Sequence, residues 1–151
     1  MNRETRKLYN RFRAAGETAK RALESARVVR QFEALEAAGF VRIDVQPDES
    51  PDLSWLDQDC FNDTRGARAA TKKMREQIER DGVWGTVGEY RLEDDAEWAH
   101  ADSCWGHTGY NDVASPFENA YVIDHMAATI EAFKLALRER FCQHCGHRRV
   151  A

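Results

Sequence analysis

The hydrophobic period changes at Gly39, and that switch limits the fold of this chain more than any other feature. Before it, from about Thr18 to Ala38, the residues Ala19, Ala22, Leu23, Ala26, Val29, Phe32 (or Glu33) and Leu35 recur at the spacing of one helix face. After it, Val41, Ile43 and Val45 alternate with Arg42, Asp44 and Gln46 until Pro47, the pattern of a half-buried strand. A helix ended by a glycine and followed at once by such a strand requires a mixed fold.

The flanking segments extend that reading. Residues 3 to 14 read as a short helix with Leu8 and Phe12 on one side, closed by Gly16. The stretch PDESPDLSWLDQDCFND is punctuated by prolines and acids and reads as a loop pinned by Leu53, Trp55, Leu56 and Phe61. A helix follows from about Thr64 to Arg80, with Ala67, Ala70 (or Thr71), Met74 and Ile78 facing inward and Gly82 ending it. VWGTVGEYRL and EWAHADSCW then read as two strands joined by the acidic turn EDDA, with Gly85 and Gly88 marking close packing. The last helix runs from about Asn119 to Arg140 and carries Ile123, Met126, Ala127, Ile130, Phe133, Leu137 and Phe141 as its buried stripe.

These elements give a single α+β domain over residues 1–141, a small antiparallel sheet of about three strands packed with about four helices. Residues 142–151 form a Cys/His/Arg tail. The core is expected to join Leu23, Phe32 and Leu35 with Val41, Ile43 and Val45, with Met74 and Ile78, and with Ile123, Ile130 and Phe133. At least one of Trp84, Trp98 and Trp105 should be buried there, because large aromatics dominate small cores.

A length of 151 residues fits one domain, and 42% hydrophobic residues with three prolines argue against extended disorder. No apolar run approaches the roughly 20 residues that cross a bilayer. The charged N-terminus MNRETRKLYNRFR has no apolar signal core, so the expected location is cytoplasmic and the four cysteines are expected to be thiols or ligands.

A formal net charge of -4 conceals a segregation along the chain. Seven acids and no Lys or Arg lie between Asp44 and Asp63, and from Glu89 to Glu131 the only Lys or Arg is Arg91. Either basic helices neutralise these segments, or they present an acidic face to a basic partner. The candidates for such a face are Asp48, Glu49, Asp52, Asp57, Asp59, Glu93, Asp94, Asp95 and Asp102.

Chemical motifs are sparse. Cys142 and Cys145 form a C-x-x-C pair with His144 and His147 between and after them, and Cys104 with His107 makes a C-x-x-H pair. The intervening helix of about 20 residues is about 30 Å long, which works against a zinc site joining the pairs. The expected state is therefore no cofactor, with zinc as the weaker alternative. Cys142 and Cys145 are expected to react readily with thiol reagents. His100 and Asp102 fall on the same face of one strand, so that His100, Asp102, His107 and Asp112 define an acid–base or metal-dependent enzyme alternative, with Tyr110, Asn111, Asp124 and His125 nearby in sequence. FRAAGETAKRALESARV has the order of a helix-turn-helix, a second alternative, although a pI near 5.8 disfavours a dedicated DNA binder.

GVWGTVGEYRLEDDAEWAHADSCWG, together with RAAGETAKRALESARVVRQFEALEAAGFVRI and DLSWLDQDCF, resembles a family of small proteins encoded by bacteriophages, prophages and plasmids. The resemblance covers most of the chain and is most specific from Gly82 to Gly106. Members commonly carry a C-P-x-C-like pair at the hairpin, where this chain has Leu92 to Glu97 and no cysteine. The resemblance implies an accessory protein that binds and inhibits a host or defence protein complex, of the anti-CRISPR or anti-restriction type; it supplies no catalytic residues, and a non-enzymatic inhibitor is the expected reading. Its partner would be a nucleic-acid-binding effector complex, held through the acidic segments.

Overall fold

The computed structural model describes residues 1–57, 64–93, 95–109 and 120–141, the side chains of Trp55 and Ala120 excepted. Two short caps start the helical layer. The Asn2 side chain accepts from Thr5 N (2.9 Å) ahead of α1 (Arg3–Ala14), and the Thr18 hydroxyl accepts from Arg21 N ahead of α2 (Ala19–Ala37). Gly16, at φ 95°, makes the turn between them. In α2 the buried set is Ala22, Ser25, Ala26, Val29 and Phe32, a stripe at helical spacing. Its small residues admit α1 on one side and the last helix on the other.

Gly39, at φ 79°, then reverses the chain into β1 (Val41–Pro47). A short 3-10 turn (Ser54–Asp57) and α3 (Arg65–Asp81), capped by the Thr64 hydroxyl on Ala67 N, precede β2 (Val83–Tyr90), β3 (Ala99–Thr108) and α4 (Ala120–Arg140). The sheet is antiparallel in the order β1-β2-β3. Among the described residues this is an α+β arrangement of four helices and three strands.

Register decides which side chains meet the helices. Val41, Ile43 and Val45 lie opposite Tyr90, Gly88 and Thr86, so these six share the inner face, against which α2 and α4 pack. Arg42, Asp44 and Gln46 pair with Glu89, Val87 and Gly85 on the outer face. There Arg42 bridges Glu89 at 2.6 Å, and Arg42 and Arg91 lie over the Trp98 ring at 4.4 and 4.7 Å.

Burial follows two clusters. Phe12, Ala22, Ala26, Val29 and Ile123 join α1, α2 and α4, while Phe32, Val41, Leu92, Ile130 and Phe133 join α2, the sheet and α4. Val28 and Met126 pack against both clusters. Each large apolar side chain buried here stabilises the fold by about 1.5–3 kcal/mol.

Several expectations need correction. Met74 is 37% exposed, so α3 contributes no methionine to the core, and of the alternatives Ala70 and Thr71 it is Thr71 that is buried. Phe141 lies beyond the last turn of α4 and is exposed rather than part of its stripe. None of Trp84, Trp98 and Trp105 is buried. Trp84 and Trp98 are half-buried, because the core next to the sheet is filled by Phe32 and Phe133 from the helices. Phe61 and the side chain of Trp55 lie outside the described residues.

Candidate functional site

The two acidic segments leave opposite ends of the sheet. Asp48 follows β1 and its N–H donates to Val83 O (2.8 Å), while Asp95 sits in the turn after β2 with its N–H donating to Leu92 O (2.9 Å). Between these ends runs β1, a strand of 7 residues that spans about 20 Å. Within each segment the charges are handled differently. Asp95 pairs with Arg140 at 2.8 Å, and Asp57 pairs with Arg75 on α3. Glu93 is exposed. Asp59 and Asp94 lie outside the described residues.

Asp48, Glu49 and Asp52 have no Lys or Arg partner among the described residues. Asp48 Oδ1 accepts from Ser50 N (3.2 Å), and Asp52 Oδ1 accepts from Ser54 N (3.0 Å), so each carboxylate shapes its own loop. The Ser54 hydroxyl and then its N–H hold the Asp52 carboxyl below the usual range. Glu49 and Asp52 are exposed, and Asp48 is half-buried.

Beside them lies a cleft of about 390 Å³ lined by Asp48, Pro51, Asp52, Leu53, Val83, Trp105, Gly106 and Thr108. Trp105 is 46% exposed, and one face of its ring rests on Gly85. A Cβ at residue 85 would come within 2.1 Å of ring atom Cε3, so glycine is required beneath the indole. The signal in sequence was the glycine at position 85, which announces close packing but not the partner.

The catalytic candidates are dispersed by a bulge. Gly88 pairs with Asp102 and Glu89 with His100, which inserts Ala101 and places His100 and Asp102 on opposite faces. The expectation that they share a face is overturned, because strict alternation ignores an inserted residue. Asp102 instead meets His125 of α4, Oδ2 to Nδ1 at 2.9 Å. His125 is buried, and its Nε2 has no hydrogen-bond partner among the described residues. That nitrogen points toward Gly88, where a Cβ would lie 3.2 Å away, and the Thr129 hydroxyl beside it donates to His125 O at 2.9 Å. An acid–base catalyst needs its reactive nitrogen open to substrate, whereas this one faces backbone.

His107 lies against the Tyr121 ring at 6.4 Å. Burial first, and the Asp102 charge second, push the Cys104 thiol up, which makes it a poor nucleophile at neutral pH. Among the described residues no group of three His, Cys, Asp or Glu side chains could hold a metal. Cys142, His144, Cys145 and His147 of the zinc alternative, and Tyr110, Asn111 and Asp112 of the enzyme alternative, lie outside the described residues. No described helix is long and apolar enough to cross a membrane. The helix that a helix-turn-helix reading would use as its reader, α2, commits its apolar stripe to α1 and α4.

No family model, no curated protein and no solved structure matches the chain.

Proposed function

We propose that this protein is a non-enzymatic binding protein of a mobile element, which inhibits a host or defence complex by docking an acidic flank on its cationic nucleic-acid site. One observation carries the reading: among the described residues Asp48, Glu49 and Asp52 have no Lys or Arg partner beside the half-exposed Trp105, whereas Asp57 and Asp95 pair with Arg75 and Arg140. Uncompensated charge of one sign beside an exposed aromatic ring has the make-up of an interface rather than of an internal ion-pair network. The setting in a phage or plasmid, and the anti-CRISPR or anti-restriction class, rest on the resemblance from Gly82 to Gly106.

The test is affinity capture from the cells that carry the protein, followed by mass spectrometry of what co-purifies. A nucleic-acid-binding complex should be retained at low salt and released as salt rises, since the acids replace phosphates in the same channel. Reversing Asp48, Glu49 and Asp52 to lysine should abolish retention. Capture of no protein by the parent chain would sink the reading.

The Asp102–His125 contact favours a second reading, a small acid–base enzyme in which Asp102 orients the imidazole. It requires the His125 side of the sheet to open for substrate. It predicts that His125→Gln removes an activity while binding to a captured partner persists.

A further inference from the structure

We propose that the Trp105 cleft is an arginine-binding site, in which a guanidinium from a partner protein stacks on the indole and is held by the Asp48 and Asp52 carboxylates. The inference rests on the binding-protein reading above for the source of the arginine, but the chemistry stands on the cleft itself.

Three features of the cleft meet there. Its wall is a flat indole backed on one side by Gly85, so the ring cannot fold inward and remains 46% exposed. Its floor is apolar, with Val83 buried and Leu53 and Pro51 half-buried, and suits the methylene stem of a long side chain. Its rim carries two carboxylates with no Lys or Arg partner among the described residues. The hydrogen bonds from Ser54 hold the Asp52 carboxyl below the usual carboxylate range.

The chain itself supplies the precedent. On the same outer face Trp98 carries two guanidiniums, Arg42 at 4.4 Å and Arg91 at 4.7 Å, and Arg42 also bridges Glu89 at 2.6 Å. That is a Trp–Arg–carboxylate arrangement satisfied internally. At Trp105 the ring and the carboxylates recur, but among the described residues no cation lies over the ring. Arginine fits better than lysine, because its planar fork can stack on the ring while its N–H groups bond carboxylates, and it loses less hydration on entry.

The experiment uses the full chain and a short synthetic peptide with a single central arginine, titrated by calorimetry and by NMR of the tryptophan indole N–H signals. Peptides with citrulline, lysine or norleucine at the same position serve as controls. The arginine peptide should bind saturably and shift the Trp105 signal. Citrulline and norleucine should bind at least about tenfold more weakly, and lysine several-fold more weakly. Asp52→Asn should weaken the arginine peptide about threefold to tenfold, and Trp105→Phe should weaken it less than Trp105→Leu does. If Trp105→Leu fails to fold, Asp52→Asn and the citrulline control decide alone.

Equal binding of the citrulline and arginine peptides, binding of the lysine peptide as tight as arginine, or no saturable shift at Trp105 would each overturn the assignment. Arginine-peptide binding in a chain that captures no host protein would retain this site and discard the inhibitor reading. Salt-sensitive capture with no arginine-peptide binding would do the reverse.

Discussion

Asp102 Oδ2 lies 2.9 Å from His125 Nδ1, so that a half-exposed carboxylate on an edge strand holds an imidazole buried under the last helix. The second ring nitrogen, Nε2, faces Gly88 and has no hydrogen-bond partner among the described residues. The contact fixes α4 against β3, and the orphaned nitrogen makes it a costly one.

Removing only the carboxylate should therefore be worse than removing the imidazole. Asp102→Ala leaves a buried ring with no partner on either nitrogen and should cost about 1–3 kcal/mol in urea denaturation. His125→Leu removes the orphaned nitrogen as well and should cost less, since the Asp102 carboxylate still reaches water. A larger loss for His125→Leu than for Asp102→Ala would show that the ring is held by packing rather than by the carboxylate.

Gly88 sets how closely α4 approaches the sheet. A Cβ there would lie 2.2 Å from the Thr129 hydroxyl, which is itself fully buried and tied to the backbone of its own helix. Gly88→Ala should destabilise by about 1–3 kcal/mol, and Thr129→Ala in the same chain should restore part of that loss by making room. Strictly additive losses in the double variant would contradict the contact.

Much of this architecture was legible because periodicity reports burial. The switch at Gly39 marked the α2–β1 junction, and Gly85 and Gly88 marked the two tightest approaches to the sheet. What stayed hidden has physical reasons. The bulge at Ala101 leaves the residue types of β3 unchanged, so alternation carried on through it and joined His100 to Asp102. His125 and Thr129 are polar residues on the buried side of α4, and an apolar stripe drawn through Ile123, Ile130 and Phe133 passes over them. Local charge counts described the acidic segments correctly as stretches, but only the strand register puts Asp48 and Asp95 at opposite ends and shows which acids find an arginine.

Cys104 should titrate late. Burial, and secondarily the Asp102 charge, disfavour its thiolate, so the folded thiol stays protonated to higher pH than the unfolded one. The folded state then resists an ionisation that the unfolded chain undergoes freely, and this group's contribution to stability falls as pH rises through the ordinary thiol range. With Cys60, Cys142 and Cys145 replaced by serine, the labelling rate should lag that of a cysteine peptide near neutral pH and rise at higher pH than the peptide's. A rate matching the peptide's would refute the burial of this thiol.

Gly85→Ala should displace the Trp105 ring, since the new methyl would occupy the space of its Cε3 and Cδ2 atoms. Because the ring is half-exposed, the stability cost should be modest, about 1 kcal/mol, while the Trp105 indole resonance should move more than those of Trp84 and Trp98. Unchanged Trp105 signals would mean that the ring does not rest on this glycine.

Parallel capture with two chains tests whether Asp48, Glu49 and Asp52 beside Trp105 form a surface for a basic partner. The parent protein and a variant carrying Asp48→Lys, Glu49→Lys and Asp52→Lys are immobilised equally and exposed to lysate at low and at high salt. The parent should retain a nucleic-acid-binding complex at low salt, lose it at high salt and block its nucleic-acid binding, while the variant should retain nothing specific. Retention of the same complex by both chains, or undiminished retention at high salt, would contradict it.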